Sequence, residues 1–150
     1  MHSEPLSRRW SLTARKEDLA RFRRMAARVL REWGAPQHTA EVVLHGVTEL
    51  LANVARHVED PRCVLEITRC PEAVRVSVHD RSPRLPEITL PDWTAEAGRG
   101  LWLLREMADE LGYAATDGGK HIWIRVAAEP LAARPPEQTG RAPAGQLSER

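Results

Sequence analysis

Residues 73–80, AVRVSVHD, alternate without a break. Val74, Val76 and Val78 share one face of a strand, and Arg75, Ser77 and His79 share the other. A sheet built on such a strand has one apolar face and one polar face, so helices have reason to cover only one side of it. That selects a two-layer α/β sandwich. A second strand is predicted around 62–69, joined to the first by a turn at Cys70-Pro71-Glu72.

Before these strands the apolar period is helical. Leu19, Phe22, Met25, Ala26, Val29, Leu30 and Trp33 form one stripe, with an Arg-rich outer face, and Gly34 and Pro36 end the helix. A second helix is predicted from about Pro36 to Val58, with Val43, Val47, Leu50, Leu51 and Val54 facing a core, and Asp60-Pro61 closing it. Residues 8–14 read as a short first strand. Residues 81–98 read as a long Pro-containing loop, the kind that serves as a lid or binding segment. A third helix is predicted over 98–112, stopping at Gly112. A hairpin follows, from Tyr113–Thr116 through Asp117-Gly118-Gly119 to His121–Val126. The expected fold is therefore a largely antiparallel sheet with three helices on one face. Residues 1–7 read as a flexible N-terminus, 8–126 as the domain, and 127–150, poor in aromatics and rich in Pro, Gly, Gln and Glu, as a disordered tail.

A length of 150 residues suits one domain with a sizeable core. Lys+Arg 22 against Asp+Glu 21 gives no overall charge argument for nucleic acid or an anionic membrane, and neither is expected as a direct partner. Two cysteines, Cys63 and Cys70, are too few for a disulfide framework. With no apolar signal core and no run long enough to span a bilayer, the expected location is the cytoplasm.

Three short stretches carry chemistry. In ELLANVARH, residues 49–57, Glu49, Asn53 and His57 recur every fourth residue. Four-residue steps drift by only about 40° on a helix, so the three share one edge beside the apolar stripe, with His45 one step earlier. A solvated face, a metal site and a pocket wall all fit that spacing, although the two-histidine turn of a zinc helix is absent. Asp80 has the parity of Val74, Val76 and Val78 and so points toward the core. A carboxylate there is costly unless donors meet it; a turn-capping Asp before Arg-Ser-Pro is the simpler reading. In GRGLWLL, residues 98–104, Gly98 and Gly100 flank a helix start, where small residues and free N–H groups admit a phosphate and Arg99 adds a cation.

In that order, these stretches resemble the histidine-kinase-like ATPase superfamily, and the short domain resembles its anti-sigma-factor serine/threonine kinases. The resemblance covers roughly residues 8–126. It implies that ATP and Mg²⁺ are the cofactors and that Glu49 is the catalytic group acting on the attacking hydroxyl. It also implies that Asn53 holds Mg²⁺, that His57 lies at the phosphate end, that Asp80 accepts from the adenine amino group, and that Gly98, Arg99, Gly100 and Leu101 form the phosphate-binding turn. Two positions depart from the family pattern. Asp80-Arg81-Ser82-Pro83-Arg84 stands where Asp-x-Gly-x-Gly is common, and His121 stands where a Thr often follows Gly-Lys. The implied partners are an anti-anti-sigma factor as substrate and a sigma factor as captive, with a possible homodimer. The alternative is a regulator that binds nucleotide and sequesters a partner without catalysis.

Overall fold

The computed structural model describes residues 6–86 and 99–128. Strand β1, Leu6–Thr13, leads through a short 3₁₀ turn into helix α1, Leu19–Glu32. Helix α2, Gln37–His57, is followed by the hairpin of β2, Arg62–Cys70, and β3, Ala73–Asp80. Helix α3, Arg99–Met107, precedes the hairpin of β4, Glu110–Thr116, and β5, Gly119–Ala127. All pairings are antiparallel, in the order β1-β2-β3-β5-β4. The result is the two-layer sandwich that the alternation in β3 predicts.

The period-2 pattern fixes which side chains enter the core. Leu65, Ile67, Val74, Val76, Val78, Ile122, Ile124 and Val126 all point to the helical layer and are buried. The opposite face carries Arg75, Ser77 and His79 on β3 beside His121, Trp123 and Arg125 on β5. There the His79 and His121 ring centroids lie 4.6 Å apart, His121 and Trp123 4.8 Å apart, and the Arg75 guanidinium 5.1 Å from the Trp123 ring.

Helix α1 buries Phe22, Ala26, Val29 and Leu30. It ends where Gly34 takes a left-handed φ of 67°. The Gly34 N–H then donates to Arg31 O and the Ala35 N–H to Leu30 O, each at 3.0 Å, satisfying carbonyls that the helix end would leave open. Helix α2 packs tightly on the sheet at Gly46, where a Cβ would overlap the Ile124 side chain. It is anchored at its start by the Thr39 hydroxyl, which donates to Ala127 O at 2.7 Å. This anchor orients the whole helix: its N-terminus sits over the end of β5, and its C-terminus over the beginning.

The structure departs from the sequence reading in the third helix, which stops at Met107 rather than Gly112. Residues 110–112 pair with 123–125 instead, and the Asp109 N–H donates to Arg125 O at 2.9 Å. Gly112 is small for a packing reason, since a Cβ there would strike the Trp123 indole. It is a seat for an aromatic ring, not a helix stop. Strand β1 also begins at Leu6, two residues earlier than expected, and β5 runs to Ala127. The segments read as a lid and as a tail fall largely outside the described residues.

Candidate functional site

Glu49, Asn53 and His57 occupy the last three turns of α2, one turn apart. Their edge runs from the fully buried Leu50, Leu51 and Val54 out to solvent. Asn53 is buried, Glu49 is half-buried and His57 is exposed. The wholly wet face that the spacing alone allowed is therefore excluded for Asn53.

Gly100, in the first turn of α3, lies directly against Glu49: a Cβ on Gly100 would run into the Glu49 carboxylate. Two stretches separated by about fifty residues thus meet, and any side chain at Gly100 would have to displace the Glu49 carboxylate. Leu101 is buried next to it. Gly98 lies outside the described residues, and of Arg99 only the backbone, which opens α3, is described.

Asp80 ends β3 facing the helical layer, as its parity predicts, and it is 6% exposed. Its Oδ1 accepts from the Ser82 N–H at 2.9 Å and from Lys120 Nζ at 3.0 Å. The same ammonium is 2.9 Å from Oδ2, but no hydrogen bond is directed at that oxygen. The ion pair is therefore close to both oxygens while only Oδ1 is saturated. Oδ2 is a buried oxygen whose charge Lys120 balances but whose lone pairs no directed hydrogen bond takes up. Thus both sequence readings of Asp80 hold at once: it caps the Arg81-Ser82 turn and it is a core-side carboxylate.

Lys120 is the site residue that the sequence reading missed. It is 3% exposed and lies opposite Asp80 in the β3–β5 register. The signal was available, because Lys120 has the parity of Ile122, Ile124 and Val126. By the same parity His121 points to the outer sheet face, and Lys120 is the group at the Asp80 carboxylate. His121 has a buried, unpartnered Nδ1. Its pKa is lowered by burial, then by His79 and Arg75.

His57 stands toward this cluster. Its pKa is lowered first by partial burial and then by the positive charges of Arg56, Lys120 and Arg84. Cys63, paired with Asp80 across β2–β3, is pushed up to about 12 by burial and by the Asp80 charge, so it is an inert thiol. Helix edge, glycine turn and strand-end carboxylate thus gather at one end of the helical layer.

The chain has counterparts among known proteins. The profile of the histidine kinase-like ATPase domain matches residues 12–126. The chain belongs to this family. No curated protein sequence matches it. Among solved structures it is similar to the crystal structure of the RsbU and RsbW domains of Rv1364c from Mycobacterium tuberculosis, with a TM-score of 0.62 at 20% identity. The alignment covers 85% of this chain but 34% of that one, so the likeness is one of fold across part of a longer protein. Membership in the family implies ATP as the ligand of the domain. Among the described residues, no helix is long and apolar enough to cross a membrane.

Proposed function

We propose that this histidine kinase-like ATPase domain is an ATP-binding regulator of the anti-sigma serine/threonine kinase type. It would phosphorylate an anti-anti-sigma partner and hold a sigma factor. The observation that carries the reading is the contact of the Glu49 carboxylate with Gly100. It sets an acid–base group beside a helix N-terminus suited to phosphate.

The residues present fit a nucleotide with its metal. Asp80 Oδ2 lies 2.9 Å from Lys120 Nζ but accepts no directed hydrogen bond, and a carboxylate oxygen suits the amino group of a purine. Asn53 offers an amide oxygen, a ligand type that Mg²⁺ accepts. The first turn of α3 at Gly100 presents backbone N–H groups of the kind that phosphate oxygens accept from. When bound, Mg·ATP supplies an activated phosphoryl group. Glu49 orients the serine hydroxyl that receives it and takes up its proton, and Leu101 excludes water from one wall. Catalysis of this kind rests on placement and charge neutralisation. His57, with its lowered pKa, is neutral near pH 7 and acts as a hydrogen-bond partner rather than as a fixed cation.

One observation favours the second reading, a regulator that binds nucleotide without transfer. Lys120 already neutralises Asp80, so part of the base-recognition carboxylate is spent inside the protein.

Two measurements separate these readings. Thermal unfolding with Mg·ATP should rise for the wild type by the equivalent of about 2.7 kcal/mol at a hundredfold excess over the dissociation constant. No rise at millimolar nucleotide sinks both readings. Glu49→Gln should bind nucleotide as the wild type does, yet lose about 10²-fold or more in phosphoryl transfer to a serine-bearing partner. Equal binding with no transfer by either protein leaves the non-catalytic regulator.

A further inference from the structure

The Arg-rich face of α1 takes no part in the site above, and the fold gives it a neighbour. Arg21, Arg24, Arg28 and Arg31 line a groove of about 620 Å³ between α1 and β1, with Arg8 on the opposite wall. Trp10, Met25 and Val29 contribute its apolar surface. The acidic side chain in the lining is Glu32, and it is engaged by Arg8 at 3.0 Å. Among the described residues, Arg24, Arg28 and Arg31 have no carboxylate within ion-pair distance. The chain as a whole carries a formal charge of +1, so this is a local concentration of charge rather than a property of the whole surface.

The second observation is the strand beside it. β1 is the end strand of the sheet, paired only with β2 among the described residues. Its free edge therefore presents backbone N–H and C=O groups along Leu6–Thr13. Edge strands are often blunted by charged residues to prevent self-pairing, and Arg8 and Arg9 on β1 serve that purpose. Edge protection does not explain four more arginines from a different element, aimed at the same groove.

We propose that this groove docks an extended acidic segment of a partner protein. The segment adds a strand to β1 and places its carboxylates on Arg24, Arg28 and Arg31. Charge complementarity selects an acidic occupant, and guanidinium groups bind carboxylates in a directional fork. The unpaired strand edge selects a polypeptide over nucleic acid or lipid, since only a polypeptide continues a main-chain ladder. Trp10, Met25 and Val29 line the same groove as the arginines and so provide apolar contact for the aliphatic stems of the acidic side chains. The surface shares no residue with Glu49, Asn53, Asp80 or Gly100, so it stands or falls apart from the nucleotide reading.

The probe is a short blocked peptide of alternating valine and glutamate, labelled for anisotropy and titrated onto the full chain. Wild type should bind it, bind the valine–lysine counterpart at least about tenfold more weakly, and lose affinity as salt rises. Amide exchange in β1 should slow when the peptide binds. Arg24→Glu/Arg28→Glu should weaken binding by about tenfold or more. Both positions are exposed on the helix, and Arg24→Gln/Arg28→Gln serves if the charge-reversed chain melts early. Nucleotide-induced stabilisation should be the same in variant and wild type. Four results overturn the proposal: equal binding of the two peptides, unchanged binding by both double variants, no added protection in β1, or displacement of the peptide by duplex DNA or phosphatidylserine vesicles at lower concentration than by unlabelled peptide. A wild-type dimer that the charge reversal dissociates also overturns it, by assigning the groove to a second copy of this chain.

Discussion

Two carboxylates near the start of β2 and the end of β3 pair with cations, and they could hardly differ more in setting. Asp80 meets Lys120 with side chains 1% and 3% exposed. Asp60 meets Arg62 at 2.9 Å and Arg81 at 3.6 Å, in a cluster that is 36% to 62% exposed. The distances nearly match, so geometry does not separate the pairs. Solvent does. Around Asp80 the interior does not screen the charges, and losing either partner leaves an uncompensated ion. Around Asp60 water replaces whatever is lost. The exposed cluster organises a turn, whereas the buried pair determines whether one end of the core holds together.

The sharpest way to break this comparison is Lys120→Met. The variant keeps much of the side-chain volume and leaves Asp80 buried without a counter-ion, and it should destabilise the fold by about 3–5 kcal/mol. Urea unfolding at neutral pH reads this directly. Adding Asp80→Asn should recover a substantial part of the loss, since it removes the stranded charge. A cost below about 1 kcal/mol for the single variant would mean that water reaches the pair in solution. It would also remove the support that Lys120 lends to the non-catalytic reading.

The same pair shows where sequence reasoning reached and where it stopped. Asp80 was found because alternation along a single strand is a local property, visible in eight residues. Lys120 has the same alternation but was overlooked, because its meaning depends on β5 lying beside β3. That neighbour relation skips β4 and is not written in any local pattern. Gly112 failed for a related reason: a glycine after a helical run reads as a stop, and only the cross-strand Trp123 shows it to be a packing seat. Gly100 was legible as a member of a glycine pair, yet its contact with Glu49 was not, since it joins two helices through tertiary packing. Periodicity thus recovered the elements and the inward faces, while partners across the fold had to come from the structure.

The contact of Glu49 with Gly100 gives the next effect in size. Gly100→Ala places a methyl group where the Glu49 carboxylate now sits. The flexible end of Glu49 can rotate away, so the stability cost should stay near 1–3 kcal/mol. Displacing the proposed catalytic group by about 1 Å should lower transfer far more, by about 10²-fold. Comparing the melting midpoint with single-turnover transfer tests this. Equal, small losses in both would show that Glu49 is a packing residue.

A smaller effect comes from pH. The pKa values of His57 and His121 both lie below the usual 6.5 in the folded chain. The unfolded chain therefore takes up protons first as pH falls. Stability from these two groups is fully present above pH 6.5 and is lost as pH falls through their lowered values. Denaturant midpoints should be flat from about pH 8 to pH 7 and should decline toward pH 5.5. His121→Gln should flatten part of that decline. A wild-type profile without slope in this window would discard the imidazole contribution on both faces of the sheet.

The smallest effect belongs to the exposed cluster and completes the comparison. Hydrogen bonds from the Arg62 side chain and backbone hold the Asp60 carboxyl down to about 2. A lowered carboxyl pKa adds stability that is present above the unfolded value of 3.8 and is lost as pH falls toward 2. Because the group is solvent-exposed, little of that shift survives as folding free energy in salt. Asp60→Asn, which keeps the acceptor toward the Arg62 N–H, should therefore unfold close to wild type at neutral pH. Any small difference between the two should shrink in high salt and close as the pH approaches 2. Should Asp60→Asn cost as much as Lys120→Met, burial would not be what separates the two pairs. The turn that leads into β2 would then have to be holding the strand register itself.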